Sequence, residues 1–170
     1  YKLIEDTNRD IKPSHIAVIF DSARKTFRND IYKDYKANRG DPPEDLIPQF
    51  QIIKDSVKAF GIQSIELSGF EADDIIATYA RIGKEKKWKV SVVSSDKDLM
   101  QIVDNDISLI DTMKNKSIGP NEVLEKFGVE PVKVIDVQAL AGDSSDNVPG
   151  VPGIGIKTAA ELINKYGTLE

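Results

Sequence analysis

The residues best suited to chemistry lie in four short acidic clusters. Asp21 follows the apolar run Ile16-Ala17-Val18-Ile19-Phe20, and Glu71, Asp73 and Asp74 form EADD soon after Ser64-Ile65-Glu66-Leu67. Asp96 and Asp98 follow Val90-Ser91-Val92-Val93, while Asp143 and Asp146 form D-x-x-D within GDSSDN. Carboxylates repel one another, so a fold that gathers these eight at one edge needs divalent cations there. Oxygen donors without His or Cys suit the hard ions Mg²⁺ or Mn²⁺.

Each cluster also has an ordinary structural use. Asp21 at a strand end suits a turn or a helix cap. The EADD carboxylates favour the dipole of a helix that they begin. Glu71 and Asp74 share a helix face at i,i+3, with Asp73 turned away by roughly 100°. Asp96 and Asp98 at i,i+2 fit a turn as well as a pair of ligands, and Asp143 and Asp146 fit an Asx-rich loop as well as a shared cation. Asp111 is an internal comparison: it ends the run Ile107 to Ile110 with no acidic cluster beside it, and reads as a turn residue.

Two further segments point to phosphate. Residues 24–39 hold Arg24, Lys25, Arg28, Lys33, Lys36 and Arg39, interleaved with Phe27, Tyr32 and Tyr35. This mixture fits backbone phosphate contacts plus stacking on single-stranded bases, and a solvated basic helix fits it too. Its place directly after Asp21 favours the phosphate reading. Gly153-Ile154-Gly155 followed by Ile156-Lys157-Thr158 makes a tight hairpin into a helix start. Amides and a helix N-terminus there can hold a phosphate, whereas a plain helix–helix turn does not need G-I-G.

The elements that position these residues follow from periodicity. A short apolar run predicts a strand at 16–20, and 62–67, 89–94 and 106–110 are further strand candidates. Helical spacing predicts helices over 44–60 (Leu46, Ile47, Phe50, Ile53, Val57, Phe60 inward) and 71–82 (Ile75, Ile76, Tyr79, Ala80 inward). Further helices are expected over 121–127, from Pro131 to Gly142, and about 157–166. Leu3 and Ile4 start a helix-like stretch. Strands alternating with helices predict an α/β fold with a mostly parallel central sheet flanked by helices, whose sites form beyond the carboxyl ends of the strands. The expected division is an α/β core over 1–142 and an acidic loop with a helix-hairpin-helix element over 143–170.

Composition narrows the classes. The chain has 170 residues, 40% of them hydrophobic, enough for one sizeable core. Without Cys it has no disulfide or thiolate site, and with one histidine, His15, no multi-histidine centre. His15 precedes a strand, which suggests a surface or strand-edge role. No apolar run has the length of a membrane span and no signal pattern appears, so a cytoplasmic protein is expected. The net charge is −5, yet the eight clustered carboxylates exceed it, so the rest of the chain is net basic. Tyr1 opens the sequence without Met and Glu170 closes it soon after a helix, so both ends read as cuts through a longer protein.

Taken in order, FDSARKTFR, YKANR, GFEADD, SSDKDL, ALAGDSSDNVPGVPGIG and KTAAEL resemble the 5′-nuclease domain of bacterial DNA polymerase I, within the flap endonuclease group. The resemblance runs over nearly the whole chain. It implies a PIN/5′-nuclease-like fold and two-metal hydrolysis of phosphodiesters, in structure-specific 5′-flap and 5′-3′ exonuclease cleavage during DNA repair and primer removal. It would place Asp21, Glu71, Asp73 and Asp96 around a first metal, with Asp74 in or just behind that shell. Asp98, Asp143 and Asp146 would hold the second. Lys36, Arg39 and Arg28 would orient the scissile phosphate or thread the 5′ strand, with Tyr35 beside them. Gly153, Ile154, Gly155, Lys157 and Thr158 would grip duplex backbone, with K⁺ held by carbonyl oxygens of the hairpin. The implied partners are DNA with a 5′ flap, nick or gap and a polymerase domain of the same parent chain, the protein being a monomer.

One departure stands out. The family pattern opens with a strand ending in Asp-Gly, which this sequence lacks, and Asp6 and Asp10 follow no apolar run that could replace it. The expectation is an exposed sheet edge and weak or no activity in the isolated chain. Other readings are a non-catalytic DNA-binding fragment and a related PIN-like RNase. A phosphatase with a strand-end nucleophile is disfavoured, because Asp21-Ser22-Ala23 lacks D-x-D.

Overall fold

The structure, a computed structural model, describes residues 5–6 and 9–170. Strand β1 (Ala17–Ile19) pairs in parallel with β2 (Gln63–Ile65). Strand β3 (Val90–Val93) pairs in parallel with β4 (Ile107–Asp111), and β5 (Lys116–Ile118) runs antiparallel on β4. The helices are α1 (Phe27–Ile31), α2 (Ile47–Ala59), α3 (Ala72–Glu85), α4 (Pro120–Phe127), α5 (Val134–Ala141) and α6 (Ile156–Tyr166). The fold is thus α/β with flanking helices, as expected. Its sheet differs in detail: among the described residues it forms two ladders, β1–β2 and β3–β4–β5.

Strand β5 has no counterpart in the sequence reading, because Lys116-Ser117-Ile118 holds a single apolar residue. It forms by hairpin chemistry instead. The Asp111 carboxylate accepts the N–H groups of Met113 and Lys114 at 3.0 and 3.1 Å, and Asn115 takes a left-handed φ of 49°. Asp111 is therefore the turn former that its isolation suggested.

Packing is uneven. The main core joins Val92, Leu109 and Ile118 of the larger ladder to Val123, Phe127, Val134, Val137, Ala159 and Ile163 of α4, α5 and α6. Near its N-terminus α2 tolerates Pro48, where no intrahelical N–H bond is lost, and the chain turns after it at Gly61 with φ 71°. Its expected apolar face is buried only at Val57. Ile47, Phe50, Ile53 and Phe60 are exposed, since α2 rests on the short strand β2 rather than on a broad sheet. In α3, Ile75 and Ala80 are buried as expected, but Tyr79 is 52% exposed. A phenol tolerates this, keeping its hydroxyl wet.

Helix α3 lies across both ladders, packing on β1 and on β3. It approaches β3 so closely that a Cβ on Gly83 would stand 2.8 Å from the Val90 side chain. This helix fixes the end of β1 relative to the end of β3. At the opposite end of β3, His15 stacks on Trp88 with ring centroids 4.6 Å apart, a surface role. Glu5, Asp6, Arg9 and Asp10 are helical; Leu3 and Ile4 fall outside the described residues. Among those residues no helix is long and apolar enough to cross a membrane.

Candidate active site

Three chain segments reach the same place. Asp21 lies just beyond β1, and its Oδ1 accepts the Ala72 N–H at 2.7 Å, tying the strand end to the start of α3. Glu71 is the N-cap of that helix, and Asp74 accepts the Glu71 N–H at 3.0 Å. The capping use of EADD is therefore real, and it coexists with a site. After β3 the chain turns through Ser94–Lys97 into a 3-10 helix, Asp98–Ile102, whose Leu99 and Met100 are anchored in the core. That anchoring presents Asp96 and Asp98 at the strand end.

The third segment is a loop forced by two glycines. Helix α5 stops at Gly142, φ 73°, and Asp143 and Val148 then exchange both backbone hydrogen bonds at 2.8 Å. A Cβ on Gly142 would lie 2.3 Å from the Gly150 nitrogen, and one on Gly150 would lie 2.3 Å from the Ala141 carbonyl carbon. Only glycine permits that closure. Within it, the Ser145 N–H donates to Asp143 Oδ1 at 2.9 Å, and both Asp143 and Asp146 are buried.

These segments enclose a polar cavity of about 150 Å³ lined by Asp21, Glu71, Asp73, Asp96, Asp98 and Asp146, together with Lys36, Arg39 and Ala72. Asp143 adjoins it: one carboxylate oxygen from each of Asp98, Asp143 and Asp146 lies within 4.8 Å of the others. Seven of the eight clustered carboxylates are thus brought together. Asp74 is set back, held in a bidentate pair by Arg28 at 2.7 and 2.8 Å. Arg28 does not line the cavity.

The basic segment lies over the acidic one. Lys36 Nζ is 2.9 Å from Glu71 and 3.7 Å from Asp146, and Arg39 pairs with Asp146. The Tyr35 hydroxyl is 3.1 Å from both Glu71 and Asp146, so its one proton can serve either carboxylate. Asn38 donates to the Ser144 carbonyl at 2.8 Å, Asn147 to the Asp34 carbonyl at 2.7 Å, and the Lys36 N–H to the Asp146 carbonyl at 2.9 Å. Lys36 has a positive φ of 56°, uncommon for a residue with a side chain. Burial and the two adjacent carboxylates push the Tyr35 hydroxyl well above the usual phenol range, so it stays a donor.

Burial and the crowding of negative charge both act on two of these carboxylates. Burial, with Asp96, Asp21 and Glu71 nearby, pushes Asp73 up to about 6. Burial and the charges of Asp96 and Asp143 also raise Asp98, against a hydrogen bond from Gln138 that favours its ionised form. Burial opposes ionisation of Asp143 as well, but the Lys97 ammonium and the Ser145 N–H outweigh it and hold that carboxyl below its usual range. Asp74 is held low chiefly by Arg28. Hard oxygen donors, close together and with no histidine or thiolate among them, fit a divalent cation.

Apart from this cavity, Gly153 takes a φ of 79° in an exposed turn and Gly155 caps α6. A Cβ on Gly155 would meet nothing within 4 Å, so its own fold does not require glycine there. Ile154 packs against the core, while Lys157 and Thr158 are exposed on the first turn of α6. Sequence reasoning passed over Lys97 and Gln138. Lys97 carried a signal, being flanked by two cluster members. Gln138 carried none, since its contact with Asp98 depends on how α5 docks.

Residues 1–128 match the family model for the 5′-3′ exonuclease N-terminal resolvase-like domain, and residues 129–170 match that for the 5′-3′ exonuclease C-terminal SAM fold. The DNA polymerase I of Rhizobium leguminosarum is 56% identical over 173 residues, covering 100% of this chain and 17% of that protein. The 5′-3′ exonuclease of Aquifex aeolicus is 44% identical over 159 residues, covering 94% of this chain and 55% of that protein. The chain therefore spans only part of these relatives. In fold it is similar to the T5 5′-exonuclease with divalent metal ions (zinc) bound, at a TM-score of 0.86 and 23% identity, covering 98% of this chain and 66% of that one.

Proposed function

Because the chain belongs to the 5′-3′ exonuclease family, we propose that it is the nuclease part of a DNA polymerase I, hydrolysing phosphodiesters at 5′ flaps and 5′ ends in DNA repair and primer removal. The observation that carries this reading is the meeting of seven carboxylates with Lys36 and Arg39 at one cavity. A diester dianion-like transition state needs positive charge, and a purely acidic site could not approach DNA without it.

The residues divide the work. Asp21, Glu71, Asp73 and Asp96 would hold one Mg²⁺ or Mn²⁺, and Asp98, Asp143 and Asp146 a second. Bound there, the ions would supply charge stabilisation at the scissile phosphate and lower the pKa of the attacking water. Lys36 and Arg39, already aimed into the cavity, would turn from Glu71 and Asp146 to the phosphate oxygens. Arg28 would act by fixing Asp74 and the start of α3. Tyr35 would stay protonated and steer the two carboxylates it touches.

The exposed hairpin at Gly153–Gly155, with Lys157 and Thr158 behind it, would take duplex backbone by its amides, reading phosphate geometry rather than sequence. We assign the boundary between the core and this DNA-gripping element to the acidic loop after residue 142. K⁺ at the hairpin, a monomeric state, a cytoplasmic setting and the polymerase domain as covalent partner belong to the same reading.

The test is cleavage of an end-labelled 5′-flap DNA by the full-length parent. Cleavage should require Mg²⁺ or Mn²⁺, stop with EDTA, and be lost in Asp96→Ala; an undiminished mutant would refute the site. The open hairpin also supports a second reading, DNA binding without hydrolysis. That reading predicts flap binding that weakens with salt and yields no product. Comparing RNA with DNA flaps separates both from an RNase.

A further inference from the structure

The cluster of eight carboxylates contains its own cations, four of them on four carboxylates, with Lys36 also 3.7 Å from Asp146. Arg28 pairs with Asp74, Lys36 with Glu71, Arg39 with Asp146 and Lys97 with Asp143. Asp21, Asp73, Asp96 and Asp98 have no ion-pair partner among the described residues. Neutral donors serve some of them: the Ala72 N–H binds Asp21 and Gln138 binds Asp98. Four unpaired carboxylates carry the charge that two divalent cations neutralise.

Among the four cations, Lys97 differs in origin. Arg28, Lys36 and Arg39 come from the basic segment, which a substrate phosphate could draw away. Lys97 sits between Asp96 and Asp98 at the N-cap of the 3-10 helix, whose Leu99 and Met100 are locked in the core. The Met100 N–H donates to its carbonyl at 3.1 Å, fixing its backbone. Its ammonium reaches Asp143 Oδ1 at 2.8 Å, with side chains 34% and 10% exposed respectively. The same Asp143 belongs to the trio whose oxygens lie within 4.8 Å.

We propose that Lys97 is a fixed counter-charge which competes with a divalent cation for Asp143 and so sets how tightly the Asp98–Asp143–Asp146 group binds its ion. This rests on the divalent-cation reading of that group. The functional consequence is moderation: the three-carboxylate group without this lysine would hold its ion more firmly and exchange it less readily during turnover.

Calorimetric titration of the protein with Mn²⁺, followed by thermal melting with EDTA or with saturating Mn²⁺, tests the idea. Lys97→Met should bind Mn²⁺ about threefold to tenfold more tightly than wild type, the scale of one partly exposed ion pair. Its melting temperature should fall in EDTA and return to the wild-type value with Mn²⁺. Lys97→Arg should restore wild-type affinity. Lys126→Met is the control, since Lys126 acts on Asp96 and Asp98 electrostatically without an ion pair to them, and its effect should be smaller. Weaker Mn²⁺ binding in Lys97→Met would overturn the proposal, showing that the lysine orients Asp143 instead. Equal effects of Lys97→Met and Lys126→Met would also overturn it, reducing the role to general charge. If Lys97→Met folds only with Mn²⁺, the affinity is read by EDTA competition from the loaded protein. Failure of wild type to bind Mn²⁺ would reject the metal site itself, a separate outcome.

Discussion

The β3–β5 half of the molecule and the β1–β2 half are packed differently. Leu109, Val123, Val134 and Val137 are fully buried between the larger ladder and α4, α5 and α6. In the smaller half, Val57 and Ile62 are buried outside that core, and Ile47, Phe50, Ile53 and Phe60 of α2 are exposed. The cavity straddles the two. Asp96, Asp98, Asp143 and Asp146 are mounted on the well-packed half, while Asp21 and the EADD group reach it through α3, which touches both. The lesson is that one side of the site is rigid by packing and the other is held by polar ties to a single helix.

The largest effect should come from breaking the packed half. Leu109→Ala, at 0% exposure, should cost about 2–5 kcal/mol in urea unfolding. Phe50→Ala in α2, at 46% exposure, should stay within about 0.5 kcal/mol. Equal costs would erase the distinction between the halves. Next, Gly150→Ala places a Cβ 2.3 Å from the Ala141 carbonyl carbon, so the acidic loop must open. Melting temperature and Mn²⁺ affinity should fall together; retention of both would mean that the loop closure is not needed.

A smaller effect probes the α3 side. Asp73 is pushed up to about 6, so the folded state holds this proton more tightly than the unfolded chain does. Its ionisation therefore costs stability, with the penalty growing as pH rises from about 4 to about 6 and constant above. In EDTA near neutral pH, Asp73→Asn should melt about 2–4 °C higher than wild type, and the difference should vanish near pH 4. With saturating Mn²⁺ the sign should reverse, because a ligand has been lost. The smallest change is at the hairpin. Gly155→Ala meets nothing within 4 Å, so its melting temperature should match wild type while duplex binding weakens severalfold. Unaltered binding would remove the hairpin from the DNA surface.

Much of this was legible from residue order. Strand-like patterns marked β1 to β4, although only Val92 of β3 and Ile107, Leu109 and Asp111 of β4 are buried, and Gly142, expected to end α5, does so with a positive φ of 73°. Three acidic clusters were legible because they follow such a run or open the next helix, and the fourth, Asp143 with Asp146, because it follows the helix stop at Gly142. Burial of α2 was not, since its apolar spacing says nothing about how much surface waits beneath it. Nor were Arg28 with Asp74, Tyr35 with Glu71 and Asp146, or Lys97 with Asp143. Those pairs depend on how separate segments dock, and on where long side chains reach, which local pattern does not encode.

Mn²⁺ calorimetry of wild type against Asp98→Asn/Asp143→Asn tests most directly whether the acidic cavity is a divalent-cation site. Wild type should bind Mn²⁺ in competition with Mg²⁺, and the double variant should lose at least one binding event while remaining folded by circular dichroism. An unchanged isotherm in the folded double variant would mean that Asp98 and Asp143 hold no divalent cation.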